Sequence, residues 1–155
     1  MAERLLRLYL DTSVYGGCFD PEFEVASRRL FGYLQTGKIL ILVSELVATE
    51  LALAPERVQA LADSLPESRI IRVPATPDAD ILRDAYLEAG IVTEKSIYDA
   101  THVAIATVAQ ADAIVSWNFK HIVQLQRIAA YNEVNEAHGY PALSIVSPME
   151  VRFDD

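Results

Sequence analysis

The sequence predicts an α/β fold, a three-layer sandwich with helices on both faces of a mainly parallel five-stranded sheet. Short apolar runs alternate with longer amphipathic segments along the whole chain, and strands alternating with helices pair in parallel through right-handed crossovers. One of those runs, Ile39-Leu40-Ile41-Leu42-Val43, is apolar without a break, the mark of a strand buried on both faces. The size agrees. The chain has 155 residues, 52% of them hydrophobic, with a mean hydropathy of +0.18, enough for one core and too apolar for a disordered chain. No repeat, low-complexity tract or Pro/Gly/Ser linker divides it, so residues 1–155 are expected to form a single domain.

Leu5 to Leu10 is the first strand and ends in the polar group Asp11-Thr12-Ser13. A helix over Glu24 to Gln35 follows, ending near Gly37, and leads to the second strand at Ile39 to Val43. Ser44 offers an N-cap for a helix over Glu45 to Ala54; Pro55 stops it and opens the next, over Glu56 to Leu65. Ile70 to Val73 is the third strand, stopped by Pro74. Pro77 to Ala89 carries Ile81, Leu82, Ala85 and Tyr86 and ends at Gly90, as a helix does when glycine takes its C′ position. Ser96 to Ala109 has apolar residues at helical spacing on most sides. The fourth strand is Ala113 to Ser116. A last helix is expected over about Lys120 to Ala137, before Gly139, and Leu143 to Val146 is the fifth strand.

Charge and composition narrow the function classes. Thirteen Lys and Arg oppose 22 Asp and Glu, a net −9, so bulk electrostatics cannot hold a polyanion, which needs clustered cations. Acidity alone is also what keeps many proteins soluble. If the substrate is a nucleic acid, a divalent metal, a local basic patch or a partner must supply positive charge. The single cysteine, Cys18, excludes an internal disulfide framework and fits a reducing cytoplasm. No apolar run approaches the roughly 20 residues of a membrane span, and Met1-Ala2-Glu3-Arg4 does not read as the start of a signal peptide.

In open parallel sheets, ligands gather at the carboxyl ends of the strands, which directs attention to the polar residues there. Asp11 follows strand one directly, with the hydroxyls of Thr12 and Ser13 beside it; the position suits a helix or turn cap as well as a functional carboxylate. Glu50 lies among Leu46, Val47, Leu51 and Leu53, where a carboxylate is costly unless paired or metal-bound, though taken alone a solvent-facing Glu explains it better. Asp99 falls in the first turn of an apolar helix, where the helix dipole also favours it. His102, three residues on, can orient that Asp, meet substrate or simply be a hydrogen-bonded core residue. Ser116-Trp117-Asn118-Phe119-Lys120-His121 follows strand four, and Asn118 serves either as a site residue or as a turn former. Three carboxylates brought to one end of a sheet repel one another unless a cation lies between them. Oxygen ligands suit Mg²⁺ or Mn²⁺, whereas zinc wants more His and Cys than this chain has. Such a metal supports phosphoryl-transfer hydrolysis.

Taken in order, Leu10-Asp11-Thr12-Ser13-Val14, Val43-Ser44 through Glu50-Leu51, Asp99-Ala100-Thr101-His102-Val103-Ala104 and Val115-Ser116-Trp117-Asn118-Phe119-Lys120-His121 make the chain resemble PIN-domain proteins over essentially its whole length. It is most similar to the VapC-like ribonuclease toxins of type II toxin–antitoxin pairs. The resemblance implies a PIN-like sandwich and an acidic site for Mg²⁺ or Mn²⁺, with Asp11, Glu50 and Asp99 as catalytic and metal-holding residues. Thr12 or Ser13 takes the hydroxyl position, Asn118 completes the metal shell, and Asn118 and Lys120 contact substrate. Many members carry Asp where this chain has Asn118, which lowers the charge of the site. The implied partners are an RNA substrate, an antitoxin protein and a second copy of the chain. The helices over Glu24–Gln35 and Glu56–Leu65 are candidate contact surfaces, though either can be an ordinary packing face.

The alternative is a non-catalytic PIN-like module that binds RNA or protein through the same groove. A haloacid-dehalogenase-type phosphatase needs a carboxylate two residues after its nucleophilic Asp, and position 13 is Ser. A dinucleotide enzyme needs a GxGxxG loop, and Gly16-Gly17-Cys18 is not one.

Overall fold

The computed structural model describes residues 5–153; the reading of Met1–Arg4 lies outside them. Five strands, β1 (Leu6–Leu10), β2 (Ile39–Ser44), β3 (Ile70–Val73), β4 (Ala113–Val115) and β5 (Ser144–Val146), form one sheet in the order β3-β2-β1-β4-β5. Every pairing is parallel. The central strand β1 sets Leu8, Tyr9 and Leu10 fully inside, and β2 beside it is buried along nearly its whole length, as its unbroken apolar run requires.

The helices are α1 (Thr12–Gly17), α2 (Glu24–Gln35), α3 (Glu45–Ala52), α4 (Glu56–Asp63), α5 (Pro77–Glu88), α6 (Ile97–Val108) and α7 (Leu125–Ala137). The chain steps from β1 to β2 to β3 in one direction, then returns past β1 to β4 and β5. Right-handed crossovers therefore put α2 to α4 on one face and α5 to α7 on the other. The contacts agree: α1 packs on α2, α3 and α4, whereas α5 packs on α6 and α7. The strand order reverses between β1 and β4, and that switch point is where open α/β sheets open a crevice at their carboxyl ends.

Local signals account for most boundaries. The Ser44 hydroxyl caps α3 by accepting from the Val47 N–H at 3.1 Å, and Thr76 caps α5. Gly90, with φ +75°, closes the end of α5 in the left-handed region. One short helix is added, and one boundary is corrected. The segment after Asp11 is helical for six residues, with the Asp11 carboxylate accepting from the Ser13 N–H as its N-cap. The last helix begins at Leu125 rather than near Lys120, because Asn118 closes a turn over residues 118–123 and Gln124 supplies the cap of α7. The apolar face of α2, Leu30, Phe31 and Leu34, is buried in the core, so that helix uses its stripe for packing rather than for contact with a partner. No helix among the described residues is long and apolar enough to cross a membrane.

Candidate active site at the carboxyl end of the sheet

Asp11 sits at the switch point, 5% exposed. Its backbone N–H still donates to the Val115 carbonyl of β4, so the side chain is fixed by the sheet before any side-chain contact forms. Oδ1 accepts from the Ser13 hydroxyl at 2.5 Å and the Ser13 N–H at 3.1 Å; Oδ2 accepts from the Ser116 hydroxyl at 2.6 Å. Burial pushes the carboxyl above its ordinary value, opposed by His102 and the two serines and reinforced by the charge of Glu50. The two acids are thus electrostatic neighbours although β1 and α3 lie far apart in sequence.

Glu50 projects from α3 and is about one-third exposed. Its Oε1 accepts from the Thr12 hydroxyl and from His102 Nε2, both at 2.7 Å. Burial works against its charge, but the hydrogen bond from His102, the electrostatic attraction of that ring and the bond from Thr12 outweigh it and hold the carboxyl below its ordinary range. Behind His102 lies a buried chain: Nδ1 meets the Tyr9 hydroxyl at 2.7 Å, and Tyr9 meets the Ser44 hydroxyl at 2.8 Å. Burial drives the Tyr9 hydroxyl well above its usual pKa, so it stays a neutral donor. His102 therefore orients Glu50 and not Asp99.

Asp99, in the first turn of α6, pairs instead with His121: Nδ1 lies 3.1 Å from Oδ2. Both side chains are about one-quarter exposed. Ser96, just before α6, sets its hydroxyl 3.3 Å from Nδ1 and 3.5 Å from Nε2 of the same ring. Asn118 lies on this rim, but its Oδ1 accepts from the Lys120 N–H at 3.2 Å and the His121 N–H at 2.8 Å. Both carbonyl lone pairs are engaged by these backbone donors. Lys120 is exposed beside it. Trp117 seals the floor: its backbone N–H donates to Ser13 Oγ at 3.0 Å, its indole N–H donates to Ser27 at 2.8 Å, and its ring stacks on Phe23.

Among the described residues no three His, Cys, Asp or Glu side chains stand close enough to form a ready-made metal cage. The donor set nevertheless fits a hard divalent ion, which takes one or two carboxylates and keeps several waters. Asp11 and Glu50 each bring a carboxylate to this end of the sheet, and burial disfavours the Asp11 charge there. Tyr9, Ser116 and the His121–Asp99 pair were not singled out by sequence reasoning. Tyr9 carried one weak signal, a phenol inside an otherwise aliphatic strand.

No protein-family model and no curated protein sequence matches the chain. Solved structures do. The chain is similar to one in VapBC2 from Rickettsia felis bound to a promoter DNA fragment, at 14% identity and TM-score 0.58, covering 92% of this chain and 98% of that one. Mycobacterium tuberculosis VapC20, a toxin that cleaves the sarcin-ricin loop, matches at 17% identity and TM-score 0.55, covering 88% and 98%. FitAcB from Neisseria gonorrhoeae matches at 15% identity and TM-score 0.56, covering 93% and 99%. At such identities the likeness speaks to architecture, and this chain shares the PIN-like α/β/α fold of these proteins.

Proposed function

We propose that residues 1–155 form one PIN-like domain, a Mg²⁺- or Mn²⁺-dependent endoribonuclease that acts as the toxin of a toxin–antitoxin pair. The observation that carries this reading is Asp11: a carboxylate buried at the switch point of the sheet, next to Glu50, with its charge disfavoured by its own setting. The fold shared with a toxin that cleaves the sarcin-ricin loop supports RNA as substrate, and the Vap and Fit assemblies support an antitoxin partner.

Asp11 and Asp99 would hold the ion, with Glu50 as a further ligand or as the base that orients water. A bound Mg²⁺ or Mn²⁺ would lower the pKa of water and neutralise charge building on the phosphodiester. The chain's own residues do the rest. Ser13 and Ser116 fix both oxygens of Asp11, while Thr12 and His102 aim Glu50. Held ionised by these contacts, Glu50 is fixed as a hydrogen-bond acceptor that can orient water. Lys120, Lys95 and the Nδ2 donor of Asn118 offer contacts to the RNA backbone on the exposed rim. A second copy of the chain is the remaining proposed partner.

The test is cleavage of a panel of structured and single-stranded RNAs with Mn²⁺, Mg²⁺ or EDTA, with Asp99→Asn prepared in parallel. Cuts at defined positions that need metal and vanish in Asp99→Asn are expected. A folded wild type that neither binds metal nor cuts would leave the non-catalytic module, which one observation favours: each carboxylate is already satisfied by protein donors.

A further inference from the structure

A cavity of about 310 Å³ opens between α1, α3, α4 and β3, and none of Asp11, Glu50, Asp99 and Asn118 lines it. We propose that it binds a free apolar α-amino acid of about the size of leucine, its carboxylate inward on Tyr15 and Arg72 and its ammonium outward on Asp63 and Glu67. The volume lies at the small end of the range for ligand pockets. Val43, Leu51, Leu65 and Ile70 give the cavity apolar walls, against which an aliphatic side chain is removed from water.

Tyr15 sets the inner end. The residue is 1% exposed, its ring is tilted against Phe31, and its hydroxyl is buried with no hydrogen-bond partner among the described residues. An unpaired buried hydroxyl is costly, and folded proteins leave few of them. Burial drives its pKa well above the ordinary value, so the group is a neutral donor in need of an acceptor. The charge of Arg72 acts on this phenol, and Arg72 lines the same cavity. Its side chain is engaged through Nη2, which meets Glu67 Oε1 at 3.1 Å, leaving the rest of the guanidinium fork for a carboxylate. One ligand carboxylate therefore answers both groups.

The outer lining has the opposite character. Asp63 and Glu67 are exposed there, two negative charges against the one guanidinium. Gln59 also lines the cavity. Its Nε2 donates to the carbonyls of Ala52 at 3.2 Å and Ala54 at 2.8 Å, so both amide protons are spent and Oε1 remains as an acceptor. A simple carboxylic acid would pair Tyr15 but meet the charges of Asp63 and Glu67 with nothing to offer them. A simple amine would satisfy those acids and leave Tyr15 unpaired. A zwitterion with an apolar side chain matches the donor inside, the acids outside and the walls between.

The experiment titrates the full-length protein in EDTA with leucine, 4-methylpentanoate and 3-methylbutylamine by calorimetry, and follows amide shifts in ¹H–¹⁵N spectra. Leucine is expected to bind saturably with a Kd of about 1 mM or tighter, with shifts centred on Tyr15, Leu51 and Arg72. The acid and the amine should each bind about 10-fold more weakly or worse. Tyr15→Phe removes only the hydroxyl and should lower leucine affinity about 10–100-fold, while the ligand-free variant melts no lower than wild type. Arg72→Gln, on the exposed edge, should weaken leucine and 4-methylpentanoate and leave 3-methylbutylamine unchanged. Absence of saturable leucine binding overturns the proposal, as does 4-methylpentanoate binding as tightly as leucine. Full affinity in folded Tyr15→Phe, or a ligand-free Tyr15→Phe that melts lower because water already satisfied the hydroxyl, overturns it too. None of these outcomes bears on the nuclease reading, which is tested by RNA cleavage.

Discussion

The direction of the hydrogen bonds behind Glu50 follows from its charge. A carboxylate can only accept, so His102 Nε2 must donate, and a neutral ring then accepts at Nδ1 from Tyr9. Tyr9 in turn accepts from Ser44, whose oxygen receives the Val47 N–H. Tyr9→Phe keeps the ring and deletes the one group that joins Ser44 to His102. It should cost about 1–3 kcal/mol in urea denaturation, because two buried polar atoms lose their partner, and should lower kcat with little change in KM. Asp11 predicts the opposite sign for stability. Its folded pKa lies above the ordinary 3.8, so the folded protein binds the proton more tightly and its stability declines as pH rises through the folded value. Glu50, shifted down from 4.5, contributes stability that is present above that value and lost as pH falls through the folded one. Metal-free Asp11→Asn should therefore lack the decline that wild type shows as pH is raised from about 4 into the neutral range, and should melt higher at neutral pH while being inactive. Thermal melts in EDTA across that range decide it.

At the scale of elements, the short helix α1 is what joins the site to the rest of the fold, and Gly17 at its end shows how tightly. A Cβ there would stand 2.5 Å from Ser27 Oγ and 2.7 Å from Trp117 Nε1, the two partners of the hydrogen bond that ties α2 to the segment after β4. Gly17→Ala should destabilise the protein by about 1–3 kcal/mol through overpacking and impair cleavage as well, since the Trp117 backbone also holds Ser13. Retention of both stability and activity would show that the loop gives way without consequence. The long elements were legible because their apolar residues repeat with a clear period: α2 has the predicted bounds, and β2 and β3 the predicted cores. Helix α1 was not, because six residues containing two glycines give periodicity nothing to act on, and only the Asp11 cap marks it. The late start of α7 was hidden for a similar reason. Asn118 fits a site residue and a turn former equally in sequence, and the choice depended on two backbone N–H groups. Asp11 was legible from where a strand ends, and Glu50 and Asp99 from their apolar helical surroundings, whereas their imidazole and hydroxyl partners depend on which helix face meets which strand.

Across the whole molecule, a net charge of −9 coexists with a site that must engage a polyanion if the proposed function holds. The fold concentrates this conflict at one place. Reversal of strand order at β1 and β4 opens the crevice where Asp11 ends the central strand, and α3 and α6 deliver Glu50 and Asp99 to the same end of the sheet from opposite faces. Burial disfavours the Asp11 charge in the metal-free state, and a bound ion would relieve it. Metal should therefore act on folding as well as on catalysis. By mass action, an ion that binds only the folded chain stabilises it by about 2.7 kcal/mol at a free concentration 100 times its Kd. Scanning calorimetry should show a melting temperature that rises with Mn²⁺ in wild type, rises less in Glu50→Gln, and is insensitive in Asp99→Asn. Equal shifts in wild type and Asp99→Asn would mean that Mn²⁺ acts on the acidic surface at large. In that case the conflict between a negative chain and a polyanionic substrate would have to be resolved by a partner instead.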